Sequence, residues 1–146
     1  MPGLVVALAC FVVGVADGDT LTARCDVPEG KATITVRLAE VDAPEKGQPF
    51  GTRSRQHLAD TCHGKPATVR PQTTDRYGRT ARRVECDGID ASVEQLRAGM
   101  AWVFDRYVTD RGLYEVQDAA RNERRGLWAD DAAVAPWEWR GSSRAR

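Results

Sequence analysis

Residues 10–25 read CFVVGVADGDTLTARC, and few folds accommodate such a stretch. Asp17-Gly18 is a tight-turn dipeptide. The flanking runs Val12–Val15 and Leu21–Arg24 read as strands. Counting outward from the turn pairs Ala16 with Asp19, Val15 with Thr20 and, at the far end, Cys10 with Cys25. Two cysteines directly opposed across a hairpin lie within bridging distance. Cys62 and Cys86, the other two of the 4 cysteines, are then left to each other. The alternative is buried free thiols. No CxxC or Cys/His pair has zinc-ligand spacing, and the two histidines, His57 and His63, lie near only Cys62. Disulfides imply an oxidising compartment. The expected location is periplasmic or secreted, with the cytoplasm as the alternative.

The hairpin opens a longer β pattern. Pro28-Glu29-Gly30 is a second turn. Ala32–Val41, ATITVRLAEV, alternates and is rich in β-branched residues, which predicts a third strand. From Pro49 the pattern changes. GTRSRQHLADTCHG carries good helix formers and stops at Gly64, a C-cap candidate. Ala67–Arg70 is a short strand, TTDRYGR a turn on Asp75 and Gly78, and Thr80–Cys86 a fifth strand. Asp90 can cap a helix running to Gly99, and Asp110 another ending at Gly126. The last stretch, DDAAVAPWEWRGSSRAR, reads as irregular. Three strands, a helix, two strands and two helices match an OB-fold, a small five-stranded barrel. The expected class is therefore α+β, a five-stranded OB-fold barrel with three helices. Its domain covers residues 11–129, with a tail over 130–146. Residues 1–10 read either as a signal-peptide remnant or as the start of the first strand. No run is long enough for a transmembrane helix.

The 146 residues suit one domain with a sizeable core. The formal net charge is zero, so global charge names no partner. Its distribution is uneven. Residues 51–83 hold eight basic side chains against two acidic ones, a net of +6, while the segments on either side are each net −3. Such a basic middle suits an anion-facing surface, and equally a solvated helix face with a strand edge. Arginine dominates the basic residues, which suits phosphate recognition.

Four clusters carry chemistry. The first is Asp17-Gly18-Asp19-Thr20 at the hairpin turn. The second is RLAEVDAPE, in which Arg37 precedes Asp42 and Glu45, with Pro44 fixing the bend between the two acids. The third is Asp75-Arg76-Tyr77-Gly78-Arg79. The fourth is the aromatic set Trp102, Phe104 and Tyr107. Each alone has a bland explanation in turn chemistry, solvated charge or core packing. In this order and spacing, VADGDT, VRLAEVDAPE, TDRYGR, EQLRAGMAWV and GLW together resemble the staphylococcal nuclease family.

The resemblance covers about residues 11 to 128 and implies an OB-fold barrel with three helices. It implies that Asp19 and Asp42 bind one calcium ion, with the backbone carbonyl of Ala43, which stands where threonine is usual. It assigns Glu45 to the attacking water and Arg37 and Arg79 to the scissile phosphate. Asp17 falls in the outer shell. Tyr77 and Tyr107 match tyrosines of the nucleotide pocket, and Arg76 stands where lysine is common. Asp105 replaces a nucleotide-facing tyrosine, and the loop after the third strand is shortened to about KGQPFG. The expected protein is a monomeric, calcium-dependent endonuclease of DNA and RNA with low sequence specificity, leaving 3′-phosphate ends. The physical logic agrees. A hard divalent ion takes carboxylate and carbonyl oxygens. A guanidinium fork holds two phosphate oxygens at once. Two other classes are a non-catalytic nucleic-acid-binding module and an envelope interaction protein that docks through PWEWR; against the latter, Trp137 and Trp139 beside Pro136 are expected to pack back on the barrel.

Overall fold

The structure, a computed structural model, describes residues 7–74 and 80–144. A long hairpin comes first, with β1 over Leu8–Asp17 and β2 over Thr20–Val27. The third strand, β3, covers Gly30–Leu38 and pairs along the whole of β2, with Thr20 opposite Arg37. After helix α1 (Gly51–Cys62), β5 (Pro66–Thr74) pairs with β1, and β6 (Thr80–Cys86) pairs with β5. A short parallel contact between β3 and β6, Arg37 to Ala81 and Leu38 to Arg82, closes the sheet on itself. The closure is partial, joining β3 to β6 at this end of the barrel. Three two-residue strands are appended: β4 (Val41–Asp42), β7 (Ile89–Asp90) and β8 (Trp102–Val103). Helices α2 (Ala91–Arg97), α3 (Leu113–Asn122) and α4 (Pro136–Arg144) complete the chain, with a 3₁₀ turn at Gly126–Ala129. The five-stranded α+β barrel is the expected one.

Alternation in the strands makes the barrel interior. Val12, Leu21, Ala23, Val36, Leu38, Val69 and Val84 are buried, joined by Leu58 of α1 and Leu96 of α2. Both disulfides form as expected. Cys10–Cys25 clasps the open end of the first hairpin, and Cys62–Cys86 ties α1 to β6. The four sulfurs belong to buried residues, so both links sit within the core.

Five local expectations need correction. The register around the first turn is shifted. Cys10 does face Cys25, but Val15 faces Leu21 and Asp17 faces Thr20, so the two turn residues are Gly18 and Asp19. Two bulges in β1, at Val13 and Ala16, each insert one residue opposite none in β2. The third strand does not run to Val41. It breaks at Ala39-Glu40, where Glu40 takes a left-handed φ of 69°, and restarts as β4. The strand expected at Ala67–Arg70 extends to Thr74 because β6 offers a partner that far. The helix after Asp110 starts later and stops earlier. Asp110 caps no first turn; its carboxylate accepts from the backbone N–H of Gly112 instead, and the helix ends at Asn122. Finally, the supposedly irregular tail contains α4, a fourth helix.

Helix α4 exists because its aromatics have a surface to cover. Trp137 stacks on Phe104, with centroids 5.5 Å apart and planes 2° off parallel. It meets Trp102 edge-on at 5.9 Å. Trp102 in turn packs on Trp128 at 4.4 Å. Such contacts stabilise beyond their buried area. Deleting residues 130–146 uncovers this layer, and the melting temperature should fall by about 5 °C or more. Thermal unfolding by circular dichroism measures it, and an unchanged midpoint would refute the packing account. At the other end of the site, a Cβ on Gly18 would lie 1.8 Å from Ser54 Oγ and 2.9 Å from Ala43 Cβ. Gly18→Ala should therefore cost roughly 1–3 kcal/mol in urea unfolding, as overpacking does.

Candidate active site

The barrel's register brings the chemistry-bearing residues to one end. Thr20 pairs with Arg37, and the backbone N–H of Leu38 donates to the Asp19 carbonyl at 2.8 Å. The hairpin turn thus lies against the end of β3. The chain then breaks at Glu40, and the two residues of β4 carry Asp42 back alongside. Asp42 sits opposite Trp102 of β8. The backbone N–H of Ala43 donates to Asp19 Oδ2 at 2.9 Å. This one contact joins the turn after β1 to the turn after β4.

The turn at Gly18 is held from below. Gln95 Nε2 of α2 donates to the Gly18 carbonyl at 2.7 Å and to the Ser54 carbonyl at 3.0 Å. Ser54 Oγ donates to the Met100 carbonyl at 2.6 Å. Both side chains are fully buried. Two helices therefore position Asp19 through one glycine.

Arg37 is anchored by backbone oxygens. Its Nη1 donates to the carbonyls of Leu38 at 2.7 Å and Val41 at 2.8 Å, which the break at Glu40 turns toward it. Its Nη2 stands 3.4 Å from Asp42 Oδ1 and 3.6 Å from Asp19 Oδ2. The two aspartates therefore share one guanidinium. Glu45 follows two residues past Ala43. Its backbone N–H donates to Gln48 Oε1 at 2.9 Å. A Cβ on Gly51 would lie 2.2 Å from the Glu45 carbonyl, so the short loop can close only on glycine.

Electrostatics mark the same spot. Asp42 has a side chain only 1% exposed. Burial pushes its carboxyl above the ordinary aspartate range, while Arg140 and Arg37 pull the other way. Asp17 is also pushed up, first by burial and then by the charges of Asp19 and Glu45. Four carboxylates, Asp17, Asp19, Asp42 and Glu45, crowd together here. Hard oxygen donors bearing this much negative charge suit a divalent cation. Among the described residues no group of three or more acids, histidines or cysteines is arranged to hold a metal ion by itself. A metal on Asp19 and Asp42 would thus leave positions for carbonyl, water and phosphate oxygens.

The other expected residues divide. Tyr107 stands edge-on to Phe104 at 4.9 Å, within the aromatic layer that α4 covers. Asp105, in place of a tyrosine, accepts a hydrogen bond from Tyr114 Oη at 2.6 Å. Arg76, Tyr77 and Arg79 lie outside the described residues, so their placement rests on the sequence alone. The structure also adds residues that the sequence did not flag. Glu40 is buried; its Oε1 accepts from the backbone N–H groups of Thr109 and Asp110, and its Oε2 from Arg83 Nη1 at 2.8 Å. This anchors the loop that carries Tyr107. The largest omission is Arg140, from α4. Its Nη2 donates to Asp42 Oδ2 at 2.6 Å and its Nη1 to Glu45 Oε1 at 2.5 Å. Those hydrogen bonds, first that to Asp42, raise the Arg140 guanidinium further above its already high range. The sequence signal was PWEWR itself, an aromatic pair followed by a cation.

Comparison with known proteins agrees with this geometry. The sequence model described as "Staphylococcal nuclease homologue" matches residues 35–130. A protein of Shigella flexneri named micrococcal nuclease is 42% identical over 144 residues, covering 91% of this chain and 80% of that protein. An uncharacterized endonuclease of Haemophilus influenzae is 39% identical, covering 90% of this chain and 72% of that protein. A staphylococcal-like nuclease of Arabidopsis thaliana is 35% identical, over 75% of this chain and 34% of that longer protein. With the closed barrel and the clustered arginine and carboxylates in place, the chain belongs to the staphylococcal nuclease family.

Proposed function

We propose that the chain is a calcium-dependent endonuclease that hydrolyses phosphodiester bonds of DNA and RNA with low sequence specificity. The observation that carries this reading is the convergence of Arg37, Asp19, Asp42 and Glu45 at one end of the barrel, in a chain of this family. The relatives named as nucleases support it.

Asp19, Asp42 and the backbone carbonyl of Ala43 would hold one ion, and Asp17 would support them from outside. The bound ion supplies positive charge at the phosphate undergoing attack. Glu45 takes the proton of a water whose oxygen bonds to phosphorus. The bond to the 5′ oxygen breaks in line, and that oxygen leaves as a hydroxyl on taking a proton from solvent. The products are a 3′-phosphate and a 5′-hydroxyl. Arg37 is already fixed by two backbone carbonyls, so its remaining N–H groups need little reorganisation to meet phosphate oxygens. Arg79 is the second phosphate grip by family resemblance. Tyr107, with Tyr77 and Arg76, would line the nucleotide pocket. Grip on phosphate and stacking on bases carry little sequence information, hence the low specificity.

Location follows from the cysteines. Two disulfides suit a periplasmic or secreted protein. Among the described residues no helix is long and apolar enough to cross a membrane.

The test is release of acid-soluble nucleotides from DNA and from RNA. Calcium should support it and a chelator should abolish it. Glu45→Gln and Arg37→Ala should each lose on the order of 10²-fold or more in turnover, as loss of one preorganised group does. Retention of nucleic acid in chelator, with no cleavage under any divalent ion, would instead identify a binding module.

A further inference from the structure

Arg140 is placed by a helix that has little other reason to reach the carboxylates. Helix α4 is tied down from two sides. Trp137 stacks on Phe104. Gln48 Nε2 donates to the Val134 carbonyl at 2.7 Å, just before the helix begins. The same Gln48 accepts from the backbone N–H of Glu45. One amide side chain thus fixes both Glu45 and the segment leading into α4. Arg140 follows Trp137 by three residues, so the two share a helix face. With the tryptophan seated, the guanidinium projects over Asp42 and Glu45.

This contact differs from a surface ion pair, which contributes little. Asp42 is 1% exposed, and the Arg140 side chain only 32%. The guanidinium reaches both oxygens of Asp42, at 2.6 and 3.3 Å, and one oxygen of Glu45. It therefore fixes the position of one carboxylate relative to the other. It also puts a positive charge on the ligand that a divalent ion needs.

We propose that Arg140 is a positioning residue of the nuclease site, holding Glu45 beside Asp42 and sharing Asp42 with the divalent ion. The second half of this inference rests on the reading of Asp42 as a metal ligand. Two opposing effects follow. Removing the guanidinium leaves Glu45 free to swing, so turnover falls. It also removes a cation beside the metal position, so calcium binds more tightly. A merely structural helix contact produces neither combination.

The experiment compares the wild-type chain with Arg140→Gln and Arg140→Lys. Calorimetric titration with calcium, without nucleic acid, gives the affinity. Turnover at saturating calcium gives the positioning effect. Thermal melting in chelator reports the metal-free contact. Arg140→Gln should bind calcium about tenfold more tightly and turn over about tenfold more slowly. In chelator it should melt roughly 5 °C lower, because Asp42 loses a buried partner. Arg140→Lys keeps the charge but cannot span both carboxylates, so it should recover the affinity more than the turnover. If Arg140→Gln does not fold, Arg140→Lys carries the test, and wild-type turnover in it overturns the proposal. Unchanged affinity and turnover in Arg140→Gln also overturn it. Faster turnover at saturating calcium does so as well, and would make α4 an inhibitory clasp. A wild-type chain that binds no calcium defeats the metal reading instead. The melting comparison in chelator then decides for Arg140, and equal midpoints reject it.

Discussion

A carboxylate as deeply buried as Asp42 has to be met by cations, and much of the site is organised around that need. Arg37 approaches one oxygen from β3 and Arg140 approaches both from α4. Each arginine comes with its own support. Arg37 depends on the chain break at Glu40, which presents two carbonyls to it. Arg140 depends on Trp137, Phe104 and Trp102, an aromatic layer that begins 75 residues beyond Val27, the end of the first hairpin (102 − 27). The burial of one side chain thus couples the barrel, the β4–β8 pair and the last helix. Removing any one support leaves a buried negative charge short of its partners.

The barrel was legible because its signals are local and mutually consistent. Strand periodicity, the Asp-Gly dipeptide and the spacing of Cys10 and Cys25 all describe the same hairpin. The half of the site made by Arg37, Asp42 and Glu45 was legible for a related reason. These residues lie within nine positions, on one strand end and one proline-fixed bend. Arg140 was not, because its meaning lies in where α4 docks. PWEWR has no periodicity long enough to announce a helix, and its tryptophans read as packing on the barrel or as a docking strip without saying where the arginine goes. Glu40 was obscured differently. Glutamate in a left-handed turn is unfavourable locally, and partners far along the chain, Arg83 and the N–H groups of Thr109 and Asp110, make it sensible.

The misplaced turn shows what pattern reading omits. The simple register holds from Cys10 to Val12, and then two bulges each add a residue to β1 alone. A bulge leaves no compositional mark comparable to an Asp-Gly pair. Its consequence is nonetheless chemical. With the unbulged register Asp19 would pair as a strand residue opposite Ala16. With the observed register it occupies the turn itself, where it can meet the backbone N–H of Ala43.

The first hairpin is fastened at both ends, by the Cys10–Cys25 bridge at one and by Gly18 wedged against Ser54 at the other. That double fastening restricts how the segment can change over time. A single inserted or deleted residue in β1 cannot slide out past the open end, because the bridge holds the register there. Unless another bulge absorbs it, as at Val13 and Ala16, the displacement surfaces at the turn and carries Asp19 away from Ala43. Length changes in this hairpin therefore have to be taken up inside it, by a bulge or by a compensating residue in the other strand, while residue identities on the outward face remain free to drift. The segment tolerates changes of composition more widely than changes of length.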